Sequence, residues 1–151
     1  MGTLLQLKKR LEALKVDRVS QDSMEAVSNQ LADRQRDQML EGKNRKGARI
    51  GRYRNPAYAR MKEVMNPLPG FGVPDLRLTG EFYKQVYVDV RDNTVIIDST
   101  DEKTQSLVNK YGEEIFGLNE NTKAEFIRKD LRPVFMQKIS EATGLPLSKV
   151  G

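Results

Sequence analysis

The chain has 151 residues, of which 38% are hydrophobic, and a formal net charge of +5. It contains no histidine, cysteine or tryptophan, which excludes a Ser–His or Cys–His nucleophile, a disulfide framework and a thiolate metal site within the chain. A zinc site would depend on carboxylates alone, which is unusual for that metal. We therefore expect no enzymatic activity and no cofactor.

The length is typical of a single domain. Within it we expect an N-terminal helical region at residues 1–41 and an α+β core at residues 42–151. No apolar run approaches the roughly 20 residues that a membrane-spanning helix needs, and the first residues lack the pattern of a signal peptide. We expect a soluble protein made in the cytoplasm, with no membrane partner. Residues 1–62 carry 15 basic and 7 acidic side chains, and residues 63–151 carry 11 and 14, so neighbouring copies or a polyanion can be attracted.

Leucines at helical spacing mark the start of the chain and form one apolar stripe on a predicted helix. They are Leu4, Leu7, Leu11 and Leu14. The stripe is suited either to packing on its own domain or to an arm laid on a neighbouring subunit. Two heptads are too short for a stable isolated coiled coil.

A second helix is predicted from Ser20, a plausible N-cap residue, to Glu41, with Gly42 as a natural stop. Its apolar face is made of Met24, Val27, Leu31 and Met39.

The segment after this helix is strongly basic, with eight basic residues and no acidic one between Lys43 and Lys62. Contact with phosphates is one interpretation. A solvated loop, or a loop facing acidic neighbours, is the other, since only Tyr53 and Tyr58 could stack on bases. The glycines here do not match a nucleotide-binding loop, and residues 49–53 are a candidate strand. The candidate contacts to DNA or a partner are Lys43, Arg45, Lys46, Arg49, Arg52 and Arg54.

Asn55 and Pro56 predict the start of a short helix, because Asn caps and Pro suits the first helical position. This helix should end near Met65. The loop at residues 66–75 contains three prolines and two glycines, and a loop of this composition is either an interaction element or a plain connector.

Residues 86–99 switch to the alternation that is typical of a β-hairpin, after a short turn that Thr79 can cap. If Asp92 and Asn93 form a two-residue turn, Arg91 lies opposite Thr94. The next pairs are Val90 with Val95, Val88 with Ile97 and Val86 with Ser99. One face of the hairpin is then apolar and suited to receive helices.

The other hairpin face is mostly polar but carries Tyr87 and Ile96, which we expect at a subunit interface. Two strands alone are marginal in water, and residues 49–53 offer the one further candidate strand. The open edges of so small a sheet need cover. A neighbouring copy in a closed ring could provide it, or a loop or helix of the same chain.

Beyond the hairpin, Ser99, Thr100 or Asp101 can cap a helix that runs to about Lys110 and ends at Gly112. The residues predicted to be buried in and after it are Leu107, Val108, Ile115, Phe116 and Leu118.

A last helix is predicted over residues 122–143. Pro133 should kink or split it, and Gly144 should end it. Its apolar face consists of Phe126, Ile127, Leu131, Val134, Phe135 and Ile139. Together these elements predict an α+β fold, in which helices pack on one face of a small antiparallel sheet. The sheet consists of the β-hairpin and a candidate third strand. An N-terminal helical arm precedes these elements.

Several landmarks follow one another in a recognisable order. They are Gly51 with "RYRNPAYARMK", then "DLRLTGEFY" at residues 75–83, "YGEEIFG" at residues 111–117, and "LRPVFM" at residues 131–136. In this order the chain resembles the tail-completion and virion-morphogenesis proteins of tailed phages, small subunits of the head–tail neck. The similarity spans roughly residues 42–139. Val134 interrupts the family's Arg-Pro-Phe element, and "NKYGEEIFG" replaces its usual aromatic histidine element.

The resemblance implies a non-enzymatic structural subunit of the virion, assembled in the host cytoplasm and working as a ring of identical copies, with no cofactor. Its implied partners are further copies of itself, neighbouring virion proteins on the connector (portal) side or the tail side, and DNA passing through the channel. The alternative is a small nucleic-acid-binding accessory protein that uses the six basic residues named above.

Overall fold

A computed structural model describes residues 6, 9, 16–92 and 94–147, and the findings below apply to them. Its elements are α1 Val16–Ala26, α2 Ser28–Leu40, α3 Pro56–Met65, α4 Glu81–Lys84, β1 Val86–Arg91, β2 Thr94–Ser99, α5 Thr104–Tyr111, a 3-10 turn Glu113–Ile115, α6 Glu120–Phe126, a π-helical segment Ile127–Leu131 and α7 Arg132–Thr143. The leucine stripe of Leu4, Leu7, Leu11 and Leu14 lies outside the described residues, so the N-terminal arm stays a prediction.

The helix predicted to begin at Ser20 is two helices, α1 and α2. Ser20 lies inside α1 and does not cap it, because α1 extends back to Val16. The chain leaves helical geometry at Val27, with φ of −111° and ψ of 16°, and this side chain is buried with Leu31 in the core. The predicted stop is confirmed: α2 ends at Leu40, and Gly42 adopts a φ of +71°.

The hairpin has the predicted register, with Arg91 opposite Thr94 and Val86 opposite Ser99. The predicted third strand is wrong, since the sheet of the described part has two strands. Residues 49–53 contribute only an isolated bridge that lies outside this sheet, between Arg49 and Lys43. The backbone N–H of Ile50 donates to the Gly42 carbonyl (2.8 Å), and that of Tyr53 donates to the Gly72 carbonyl (2.8 Å). These hydrogen bonds go to two different loops, so no ladder forms.

Two apolar clusters join the helices to one face of the hairpin, as the alternation predicted. One consists of Val27, Leu31, Leu118 and Phe126, with Val88 and Ile97 of the hairpin packed against it. The other consists of Met39, Phe82, Tyr83 and Val86, with Ile97, Leu107 and Phe116 packed against it. The protein therefore has the predicted α+β class, with α2 packed along β1.

The last predicted helix is interrupted by the π-helical segment, which ends at Leu131, two residues before Pro133. Proline lacks the N–H that an α-helix needs, and a π turn accommodates such a break. The predicted split is therefore confirmed, whereas Ile127, predicted to be buried, lies at this distortion and is 45% exposed. Helix α6 begins at Glu120, two residues before the predicted start, because the Asn119 side chain accepts a hydrogen bond from the Thr122 N–H (3.0 Å).

Two buried glutamines of α2 hold the segment that follows the 3-10 turn. Gln35 donates to the Ile115 carbonyl (3.0 Å) and accepts from the Gly117 N–H (2.8 Å). Gln38 donates to the Gly117 carbonyl (2.9 Å) and accepts from the Asn119 N–H (2.8 Å). This segment has no strand to pair with in the described part, so the two side chains satisfy its backbone in place of a sheet.

Candidate functional site

The six basic residues predicted to contact DNA or a partner do not converge on one surface. Three of them line a groove that is also acidic, formed by Glu41, Lys43, Arg45, Lys46, Gly47, Asn119, Glu120, Asn121, Thr122 and Glu125. Lys43 lies 2.8 Å from Glu41, and Lys46 lies 3.2 Å from Glu114. Acidic neighbours therefore balance this part of the segment, which was one of the two sequence interpretations.

Glu114 shows the same balance. The pKa of its carboxyl group lies below the ordinary value. The main cause is a hydrogen bond that its own backbone N–H donates to the carboxylate, and the next is the hydrogen bond from Lys46. Of the other three predicted contacts, Arg49 and Arg52 are exposed outside this groove, and Arg54 lines a different one.

Arg54 belongs to a cleft of about 430 Å³, which we call the basic–aromatic cleft. Its walls come from residues 53–62, from the loop at residues 74–80 with Phe82, and from residues 103–111. The charged lining residues are Arg54, Lys62, Arg77, Lys103 and Lys110, and the aromatic ones are Tyr53, Tyr58, Phe82 and Tyr111. None of the described residues that line it is acidic.

Tyr53, which precedes α3, and Tyr58, in the first turn of α3, form a ring pair in this cleft. The rings of Tyr53 and Tyr58 meet edge to face, with centroids 5.0 Å apart and an angle of 87° between their planes. Burial, and next the charge of Asp75, raises the pKa of Tyr53 above its ordinary value. Asn55 caps α3 by accepting hydrogen bonds from the N–H groups of Ala57 (2.9 Å) and Tyr58 (3.1 Å), as its sequence predicted.

The third tyrosine, Tyr111, is positioned by a glycine. A Cβ atom added to Gly51 would lie 2.7 Å from Cδ1 of Tyr111, so only glycine allows the ring to approach the backbone this closely. Lys110 Nζ lies 5.2 Å from the centroid of the same ring, within the range of a cation–π contact.

Lys62, one of the lining residues, forms a buried ion pair with Asp75, which does not itself line the cleft. Lys62 Nζ lies 2.8 Å from Asp75 Oδ1, and the two side chains are only 5% and 3% exposed. Lys62 also donates to the Arg77 carbonyl. The Asp75 carboxylate accepts from the Asn66 side chain (3.0 Å) and from the Arg77 N–H (3.0 Å). The sequence analysis counted Lys62 among the eight basic residues of its segment, but its charge is neutralised inside the protein.

The other four cations of the cleft are Arg54, Arg77, Lys103 and Lys110. None of them forms an ion pair with an acidic side chain in the described ranges. Cations that have no ion-pair partner among the described residues therefore come from three separate segments to line one concave surface. Sequence reasoning missed all but Arg54. The one available signal was that Lys103 and Lys110 are seven residues apart, two turns of a helix.

A second surface is apolar and runs along the end of α3 into the following loop. We call it the apolar segment; its members are Met61 (43% exposed), Val64 (86%), Met65 (54%), Leu68 (68%) and Phe71 (51%). The sequence analysis allowed two interpretations of this loop, an interaction element or a plain connector. Exposed apolar side chains that lie together mark contact surfaces, so the apolar segment is a candidate contact surface.

A third surface is the outer face of the hairpin, where Tyr87 is 40% and Ile96 is 45% exposed. In the observed register Tyr87 lies opposite Asp98 and Ile96 lies opposite Asp89, so the two apolar residues are diagonal neighbours. The two predicted interface residues of the hairpin are therefore accessible on one face.

Comparisons of the chain with family models, curated proteins and solved structures found no match. Within the described ranges, no helix combines the length and apolar character required to cross a membrane. In the same ranges, no group of three or more acidic side chains is arranged to hold a metal ion.

Proposed function

We propose that the chain is a non-enzymatic structural subunit of a tailed-phage virion, which assembles with copies of itself into a ring of the head–tail neck or tail-completion complex. The observation that carries the proposal is the small size of the hairpin sheet. Its sheet has two strands in the described part of the chain, and Tyr87 and Ile96 stand exposed on its outer face. An isolated two-stranded sheet is marginal, and its unpaired edges favour a neighbour.

Two apolar surfaces on different elements support a ring. When the surface of one copy meets a different surface of the next, the contact is heterologous, and repeated contacts form a ring if the rotation closes. The apolar segment after Met61 and the outer face of the hairpin around Ile96 are suited to be such a pair. Opposite charges in the two halves of the sequence add long-range attraction between copies.

The positions of the sequence landmarks support the resemblance on which the viral part of the proposal rests. Gly51, from the first landmark, packs on Tyr111, from the third. Thr79 of the second accepts a hydrogen bond from the Glu81 N–H (3.3 Å) at the start of α4, and Pro133 of the fourth follows the π-helical segment. These residues shape the fold rather than a reactive site, which fits a structural subunit.

Native mass spectrometry and negative-stain imaging of the full chain test the proposal, alone and mixed with phage particles that lack a neck. We expect closed homo-oligomers, or rings on the particles. A Val64→Glu and Leu68→Glu double variant should lose them, and so should Ile96→Glu. Gln105→Glu, on the exposed face of α5, is the matched control and should assemble normally.

A mixture of the two defective variants tests the heterologous geometry. Each variant retains one intact surface, so the mixture should give heterodimers that cannot close into a ring. Monomers in every arm, with no rings on particles, would refute the proposal. The alternative accessory protein would instead bind nucleic acid with an affinity that falls steeply with salt. It would lose that affinity when the six predicted basic residues are changed to Gln.

A further inference from the structure

The basic–aromatic cleft has a property that an assembly subunit does not need. Its lining brings four cations without an ion-pair partner in the described ranges together with three tyrosines, and contains no described acidic residue. A solvated basic face would mix in acidic side chains, as the groove beside Lys46 and Glu120 does. The combination selects for a ligand that carries both negative charge and a flat aromatic group.

The size and rigidity of the cleft fit a small ligand. Its volume of about 430 Å³ lies within the roughly 300–1,000 Å³ of typical ligand sites. The buried pair of Lys62 and Asp75 fixes the loop that carries Arg77, and Gly51 fixes the ring of Tyr111. Because these contacts already hold the lining in the free protein, binding would require little further ordering.

We infer that the cleft binds a nucleotide unit, either free or within a single strand of nucleic acid. The base stacks on the tyrosine rings, with Tyr58 and Tyr111 as the principal surfaces, and the phosphate is bound by Arg77, Lys103 and Lys110. A base in a duplex is already stacked on its neighbours, so a single strand is the form that this cleft admits. The inference does not depend on ring assembly.

Fluorescence anisotropy with a labelled oligothymidylate of about 12 nucleotides, within the usual site sizes of single-strand binders, tests this. The same measurement is made on the full chain carrying Ile96→Glu. Because Ile96 does not line the cleft, this variant should lose assembly but keep binding, so the two failures can be told apart. Tyr58→Ala should weaken binding about 5- to 150-fold, the loss expected for one base–aromatic stack. Tyr87→Ala, an exposed tyrosine outside the cleft, is the matched control and should change affinity less than about twofold.

The charges are tested by salt dependence. Changing Lys103 and Lys110 to Gln should lower the slope of log Kd against log salt concentration by about 1.4, since each contact to single-strand phosphate contributes about 0.7. The matched control changes Arg128 and Lys129, both exposed and outside the cleft. Circular dichroism verifies that each variant is folded. Tyr58→Leu, which keeps apolar bulk without a π face, replaces Tyr58→Ala if that variant unfolds.

Competition identifies the ligand. If thymidine monophosphate displaces the oligonucleotide, the inference is supported and the ligand is a free nucleotide. If thymidine monophosphate does not displace the oligonucleotide, the inference is supported and the ligand is a single strand. Polyglutamate that competes as well as an oligothymidylate of equal charge would overturn it in favour of an acidic peptide. Absence of binding at low salt, or equal effects of Tyr58→Ala and Tyr87→Ala, would also overturn it.

Discussion

The ammonium group of Lys62 lies 2.8 Å from the carboxylate of Asp75, and the protein encloses both side chains. This pair ties α3 to the proline-rich loop, and it also places Arg77 beside the cleft. Tyr83 donates to the Asp75 carbonyl, so the same point connects to the core cluster under the hairpin. The cleft and the apolar segment therefore share one support.

Asp75→Asn should destabilise the fold by about 3–5 kcal/mol, because it leaves the charge of Lys62 buried without a partner. Urea unfolding followed by circular dichroism measures the loss. The double variant Lys62→Met and Asp75→Asn should be less destabilised than the sum of the two single variants, since it removes both charges. A loss below about 1 kcal/mol for Asp75→Asn would mean that the pair is not buried as described.

Stability should fall above a pH of about 10. Burial, and next the charge of Asp75, raises the pKa of Tyr83 above its ordinary value of 10.0. Above that value the unfolded chain loses the tyrosine proton while the folded protein keeps it, so the free energy of unfolding decreases as pH rises. The contribution is about 1.4 kcal/mol per pH unit for one tyrosine. Urea unfolding at several pH values should show that the free energy of unfolding declines less steeply with pH for Tyr83→Phe. Tyr87→Phe is the control and should leave that decline unchanged.

Gly51→Ala should displace the ring of Tyr111 and cost about 1–3 kcal/mol, as overpacking usually does. Thermal unfolding measures the change. The check is a double-mutant cycle: in a Tyr111→Ala background the added methyl group has room, so Gly51→Ala should cost much less there. Equal costs in the two backgrounds would contradict the contact.

Gln35→Met should cost at least about 2 kcal/mol, because it leaves the buried Ile115 carbonyl and Gly117 N–H without their partner. Hydrogen exchange should accelerate at the Gly117 amide more than at the core amides of β1. Gln105→Met, on the exposed face of α5, is the matched control and should leave the exchange at Gly117 unchanged.

The features that the sequence predicted well are governed by neighbours in the chain. The hairpin register follows from alternation with a period of two and a two-residue turn, and the start of α3 follows from Asn55 and Pro56. The failed third strand depends on where the N–H groups of Ile50 and Tyr53 find acceptors, which are loop carbonyls of Gly42 and Gly72. No local pattern contains that information.

The cleft could not be predicted from local sequence patterns, for the same reason. Tyr58, Arg77 and Tyr111 come from three segments that only the folded chain brings together. Local pattern also did not distinguish Lys62 from the other basic residues of its segment, because a lysine that pairs inside the protein with an aspartate 13 positions later has the same local pattern as an exposed one. Of the predicted surface residues, Tyr87 and Ile96 were found accessible because strand alternation alone assigns them to the outer face.

The two-stranded hairpin also has a consequence for handling and for life in the cell. Bare strand edges can template uncontrolled cross-β aggregation as readily as they can accept a specific neighbour. The charges of Asp89 and Arg91, paired 2.8 Å apart on β1, hinder such stacking but do not block it. A concentrated stock of the protein should therefore lose material to amorphous or fibrous precipitate over time.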